Sequence, residues 1–256
     1  MTSKAQQDPE NIAKYLTKDL SLDTKRAINL DYVLTELNIR ITKQKIKKGI
    51  LGACKAVGLK RLIIIDPDIN HEGRERFTIA HEMGHIIMRH GSTACDSNDL
   101  FPSEGANTSV HRIEKDANAF ASELLMPASE IIKTLKKHNV NLDSATMLAD
   151  RYNVSLTSAA IKLVKYSPVP AILIYFEFGK FKWVSFSKDK GFLQTTKLPT
   201  SNLLNEVNEY KQYNPALFFT NIDEDTDCWA QMKRYSPNNY NFDLCMVTLD
   251  DESILS

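Results

Sequence analysis

His81, Glu82 and His85 have the types and spacing of a hydrolytic metal site. They lie in RERFTIAHEMGHIIMRHG at 74–91, where His81-Glu82-Met83-Gly84-His85 matches H-E-x-x-H. Residues four apart on an α-helix share a face, so the two imidazoles can converge on one ion. Glu82 points about a quarter-turn away and can reach a bound water without taking a coordination position. Neutral imidazoles suit Zn2+, a carboxylate can complete a three-ligand set, and the fourth position stays open for water. Zinc acidifies that water, and Glu82 can accept its proton as hydroxide attacks a peptide carbonyl. The competing explanation is three ordinary polar residues on a surface helix. Phe77, Ile79, Ala80, Ile86, Ile87 and Met88 surround the helix with apolar side chains. A helix buried on most sides needs a partner for its polar groups, and a metal supplies one.

The third ligand must come from elsewhere, and HRIEKDANAFASELLMP at 111–127 is the best source. Glu114 and Asn118 share a helical face, so Glu114 can point at the ion while Asn118 hydrogen-bonds one histidine. Ile113, Ala117, Ala121, Leu124 and Leu125 would pack this helix on the first. Asp116 is the main competitor. His111, His90 and Glu123 rank lower, and His90, five after His85, lies off the shared face. A further donor is needed to stabilise an oxyanion; Tyr152, Arg112, His90 and His111 are the candidates, and spacing does not choose among them.

These residues need elements to hold them. Short helices are expected at 8–20 and 30–38, the latter followed by the possible strand NIRIT. Residues 41–58 could hold a strand or a helix. LKRLIIIDPDI contains a strand at 61–66 that ends at the Asp66-Pro67-Asp68 turn, because a residue before proline is pushed out of the helical region. The metal-bearing helix follows at roughly 74–90, then a long loop at 91–111 that could gate a cleft. Helices at about 112–125 and 128–138 are separated by Met126-Pro127, proline suiting a helix start. Two short helices over 142–166 resemble a helix-turn-helix outline, yet SLTSAAIKLVKY is poor in base-reading side chains and packing is the favoured role. From Pro168 the texture turns to strand, with a hairpin around Gly179-Lys180 and further strands near 216–222 and 242–250.

The two metal-bearing segments together resemble the ImmA/IrrE family of zinc metallopeptidases. The resemblance rests on RFTIAHEMGHIIMRH at 76–90 and EKDANAFASELLMP at 114–127, and extends over about 30–165. It implies His81, His85 and Glu114 as zinc ligands, Glu82 as catalytic base and Asn118 as a supporting residue. Asp116 departs from the family pattern, where Glu is usual, as does Met88-Arg89-His90, where an aliphatic residue more often precedes His. The resemblance also implies cleavage of a phage, mobile-element or stress-response repressor of helix-turn-helix type. The last third of the chain carries no motif of the family.

Composition bounds the alternatives. The 256 residues balance 32 Lys+Arg against 32 Asp+Glu, which weighs against bulk-charge binding to nucleic acid. The start, MTSKAQQDPENIAKYL, is polar and reads as neither signal nor anchor, and AILIYF at 171–176 is far short of a membrane span. Cys54, Cys95, Cys228 and Cys245 are widely spaced, so reduced thiols in a cytoplasmic protein are expected. The expected architecture is α+β: a zincin-like helical metallopeptidase core with a short β-sheet at 1–167, then a smaller β-containing domain at 168–256 that regulates or recognises substrate. The expected function is a Zn2+-dependent endopeptidase acting on a specific protein. The alternative is a non-catalytic zinc-containing regulatory or binding protein.

Overall fold

The computed structural model describes residues 8–91, 93–96, 109–187, 209–236 and 241–249. Among them, seven α-helices and two β-sheets make an α+β fold, with a helical metal-site core and a second, strand-rich sheet. The chain forms two compact units. One comprises residues up to Glu130 together with Ala149–Ser155; the other comprises Ile131–Leu148 and the chain from Leu156 onward.

In the first unit, α1 (Pro9–Asp19) starts at Asp8, whose side chain accepts the backbone N–H of Glu10, with proline in the first turn. Asn29 caps α2 (Leu30–Glu36) in the same way through Tyr32 N–H. The ambiguous 41–58 region is strand: β1 (Ile39–Lys43) and β2 (Ile50–Val57) flank β3 (Lys60–Ile65). β1 runs parallel to β3 and β2 antiparallel to it, and β4 (Thr93–Asp96) adds antiparallel to β2, giving the order β1-β3-β2-β4. The expected 91–111 loop therefore contains a strand; residues 92 and 97–108 lie outside the described residues. β3 ends where expected: the Asp66 carboxylate accepts the N–H of Asp68 at 2.9 Å and of Ile46 at 3.2 Å, and pairs with Lys45. Cys54 and Gly52 lie directly opposite Ile63 and Ile65, forming one buried face of this sheet.

Two helices pack beside it. α3 (Glu72–Ile87) lies against β2, β3 and β4 on one side and against α4 (Ser109–Leu125) on the other. Gly84 sets the spacing of the pair, since a Cβ there would lie 3.0 Å from Phe120 Cδ1 and 3.4 Å from Ala117 Cα. α5 (Ala128–Leu135), α6 (Leu142–Tyr152) and α7 (Leu156–Lys165) follow. Buried Glu123 closes the α4–α5 corner by accepting the N–H of Ala128 with both carboxylate oxygens, at 3.2 and 3.1 Å.

The second sheet is antiparallel, in the order β6-β5-β9-β8-β7, from β5 (Ala171–Glu177), β6 (Lys180–Phe186), β7 (Lys211–Tyr213), β8 (Cys228–Tyr235) and β9 (Phe242–Leu249). β5 is buried on both faces, which explains why AILIYF reads as an unbroken apolar run. Ile172, Ile174 and Phe176 join Cys245, Val247, Phe218 and Phe219 in one core, while α7 packs along β5 and β6. The strand expected near 216–222 is not formed. Pro215 opens a short 3-10 helix at Pro215–Leu217, and Asn214 accepts Ala216 N–H at 2.8 Å, which fixes a turn. No helix among the described residues is long and apolar enough to cross a membrane.

Candidate metal centre

The site begins with the helical period. α3 places His81 and His85 on the stripe facing α4, and both side chains are fully buried, as is Glu82. Their Nε2 atoms lie 3.0 Å apart. From α4, Glu114 brings Oε2 to 3.1 Å from His81 Nε2 and 3.4 Å from His85 Nε2, with only 8% of the residue exposed. One helical turn further, Asn118 Oδ1 lies 2.9 Å from His81 Nδ1. Burial pushes the Glu114 carboxyl upward, but the two imidazoles beside it outweigh that and hold it down at about 2.

The donor chemistry fits a metal. A carboxamide oxygen accepts, so His81 Nδ1 carries a proton, and with that proton in place a neutral imidazole would present its Nε2 lone pair toward Glu114 and His85. Electron-rich atoms facing one another this closely repel unless a proton or cation lies among them. Ligands held tetrahedrally at zinc–nitrogen distances are roughly 3.3 Å apart, and the three separations here are 3.0, 3.1 and 3.4 Å. His81, His85 and Glu114 therefore form a buried donor group capable of holding a metal ion.

His85 has a partner that its sequence spacing concealed. α3 stops at Ile87, Arg89 takes the left-handed conformation at φ 59°, and the chain folds back. His90 N–H then reaches the His85 carbonyl at 3.0 Å and Arg89 N–H reaches the Ile86 carbonyl at 3.3 Å, the paired bonds of a Schellman motif. This return places His90 Nδ1 3.0 Å from His85 Nδ1. The expectation that His90 falls off the shared face assumed a helix running to residue 90; the early stop overturns it. Burial pushes the His90 imidazole down, His85 pushes the same way, and Asp116 and Glu114 oppose them.

Of the remaining candidates among the described residues, none joins the donor group. Asp116 is half-buried outside the donor group, and Glu123 is engaged at the α4–α5 corner. Arg112 is exposed on α4, and the side chain of His111 falls outside the described residues. Tyr152, a candidate for stabilising an oxyanion, is fully buried, and the charges acting on its hydroxyl belong to Glu130, Arg151 and Asp23.

An α+β domain with an H-E-x-x-H helix and a carboxylate delivered from the next helix defines a metallopeptidase-like centre. Residues 34–164 match the IrrE N-terminal-like domain family of M78 peptidases, and the chain belongs to that family. It is similar to the radiation response metalloprotease IrrE of Deinococcus radiodurans, 32% identical over 100 residues, covering 39% of this chain and 30% of that protein. The protein of the same name from Deinococcus deserti is 32% identical over 111 residues, covering 43% of this chain and 38% of that protein. The matched region thus spans about a third of these relatives' length. A Mycobacterium tuberculosis transcriptional regulator shares the fold, with a TM-score of 0.61 and 13% identity over 94% of this chain and 75% of that one.

Proposed function

We propose that this chain is a zinc-dependent endopeptidase in which His81, His85 and Glu114 hold the ion and Glu82 is the general base. The convergence of three buried donors 3.0–3.4 Å apart carries this reading. Zinc bound there would supply Lewis acidity, polarising the scissile carbonyl and acidifying a water. Asn118 fixes the His81 tautomer, so that Nε2 presents its lone pair inward. Glu82, next to the first histidine and buried with it, accepts the water's proton and returns it to the leaving amine. The names of the two Deinococcus relatives, both metalloproteases, support the same chemistry.

The substrate we put first is a cytoplasmic helix-turn-helix repressor, with residues 1–167 performing the cleavage and 168–256 regulating it or recognising the substrate. The zinc-loaded protein, incubated with a proteome-derived peptide library and with the repressors encoded by its own genome, should generate new N-termini detectable by mass spectrometry. Glu82→Gln should abolish them, a loss of at least about 100-fold, while binding zinc as before. Identical biological activity of wild type and Glu82→Gln, with no cleavage by either, would instead favour a non-catalytic zinc-containing regulator.

A further inference from the structure

We propose that Gly52 is a positioning residue for Glu82, an inference that rests on Glu82 being the proton acceptor. Thr78 and Glu82 are four residues apart and form a stripe on α3 distinct from the histidine stripe. That stripe meets β2 at Gly52. A Cβ on Gly52 would lie 2.5 Å from Thr78 Cγ2, 3.2 Å from Glu82 Oε1 and 3.3 Å from Glu82 Cγ. Any side chain there would push on the carboxylate itself as well as on the helix.

The surroundings leave little room to yield. Thr78 is fully buried, and its hydroxyl is tied to the Arg74 carbonyl at 3.0 Å, so its methyl is held toward the strand. On the other side, β2 is pinned to β3 with Gly52 opposite Ile65, and the Leu51 carbonyl accepts Asp66 N–H at 2.9 Å. The β2–β4 pairing also slips between Ile50 and Gly52, from Ile50 opposite Asp96 to Gly52 opposite Cys95. A bulge of this kind re-aims a strand locally and is common beside functional sites. Here it falls where the strand has no room for a Cβ beside Glu82. Missing side chain and local slip together let bare backbone form the wall that holds Glu82 at its angle to the histidine stripe.

The two contacts of the absent Cβ can be separated. Thr78→Ser deletes the methyl that a new Cβ would strike at 2.5 Å but leaves the contacts to Glu82. The full-length chain is therefore made as wild type, Thr78→Ser, Gly52→Ala/Thr78→Ser and Glu82→Gln, each loaded with Co2+. Acetohydroxamic acid is the probe: as a metal ligand it gives up its O–H proton, which Glu82, if it is the proton acceptor, would take up. Cobalt absorption reports both metal affinity and probe binding. The expected result is unchanged Co2+ affinity and cooperative thermal unfolding in all four proteins, with acetohydroxamate affinity at least tenfold weaker in Gly52→Ala/Thr78→Ser and in Glu82→Gln alone. Wild-type probe affinity in Gly52→Ala/Thr78→Ser would overturn the inference. So would loss of Co2+ binding or of cooperative unfolding there, because Gly52 would then serve packing. Wild-type probe affinity in Glu82→Gln would instead overturn the role of Glu82 itself, and the inference with it.

Discussion

Each histidine of the donor group has its outward nitrogen engaged: His81 by Asn118 at 2.9 Å and His85 by His90 at 3.0 Å. Such partners fix ring orientation and tautomer, and removing one typically costs 10–100-fold in metal affinity. Asn118→Ala and His90→Ala should each weaken Zn2+ binding by about that factor in competition with a chromophoric chelator, whereas Lys115→Ala on the exposed side of α4 should not. Unchanged affinity in His90→Ala would remove His90 from the site. The residue pattern was legible where geometry is local: the i, i+4 spacing of His81 with His85, and of Glu114 with Asn118, survives folding unaltered. His90 was hidden because its position depends on Arg89 adopting φ 59°. Glycine is the usual residue there, so Gly91 marked the more obvious stop and nothing in the local pattern announced an earlier one at residue 89.

At the scale of elements, the site depends on how closely α3 and α4 approach. Gly84 faces Phe120 and Ala117, and a methyl group would press on the Phe120 ring at 3.0 Å and the Ala117 backbone at 3.4 Å. Gly84→Ala should therefore cost about 1–3 kcal/mol by overpacking and, by moving Glu114 from the histidines, weaken zinc binding; thermal unfolding with and without the metal measures both. The Asp66 turn makes a pH prediction. The backbone N–H of Asp68, then that of Ile46 and the charge of Lys45, hold its carboxyl below the ordinary carboxylate range against the upward push of burial. A group depressed on folding stabilises above its unfolded pKa and loses that contribution as pH falls through the folded one. Asp66→Asn should accordingly lower Tm at neutral pH and narrow its gap from wild type in acid. Strand β3 and its turn were readable from an apolar run ending in Asp-Pro-Asp. Strand β8 was not, because Gln231, Lys233 and Arg234 interrupt its apolar residues and its place is set by pairing with β9. Residues 216–222 misled in the opposite way, an apolar run whose backbone is decided by Asn214 and Pro215.

For the whole molecule, metal binding and folding are coupled. An ion that binds the folded state at 100 times its dissociation constant stabilises it by about 2.7 kcal/mol, so zinc should raise the Tm of the unit bearing the site and a chelator should reverse the rise. The triple substitution His81→Ala/His85→Ala/Glu114→Ala should abolish that response. Balanced charge adds a further expectation: unlike a basic DNA-binding protein, this chain should show no strongly salt-dependent affinity for duplex DNA. The change of texture near Pro168 revealed where strands take over from helices, but not which segments pack together. Ala149–Ser155 joins the first compact unit while its neighbours on both sides join the second, an arrangement of tertiary contacts with no local signature. Whether the buried donor group is a zinc site is decided by a crystal structure of the zinc-loaded protein with anomalous data at the zinc edge. One ion is expected about 2.0–2.1 Å from Nε2 of His81 and His85 and about 2.0–2.2 Å from a Glu114 oxygen, with Glu82 beside it but not coordinated. Zinc bound elsewhere, or Glu114 more than roughly 4 Å from the ion where a bond requires about 2 Å, would contradict that assignment.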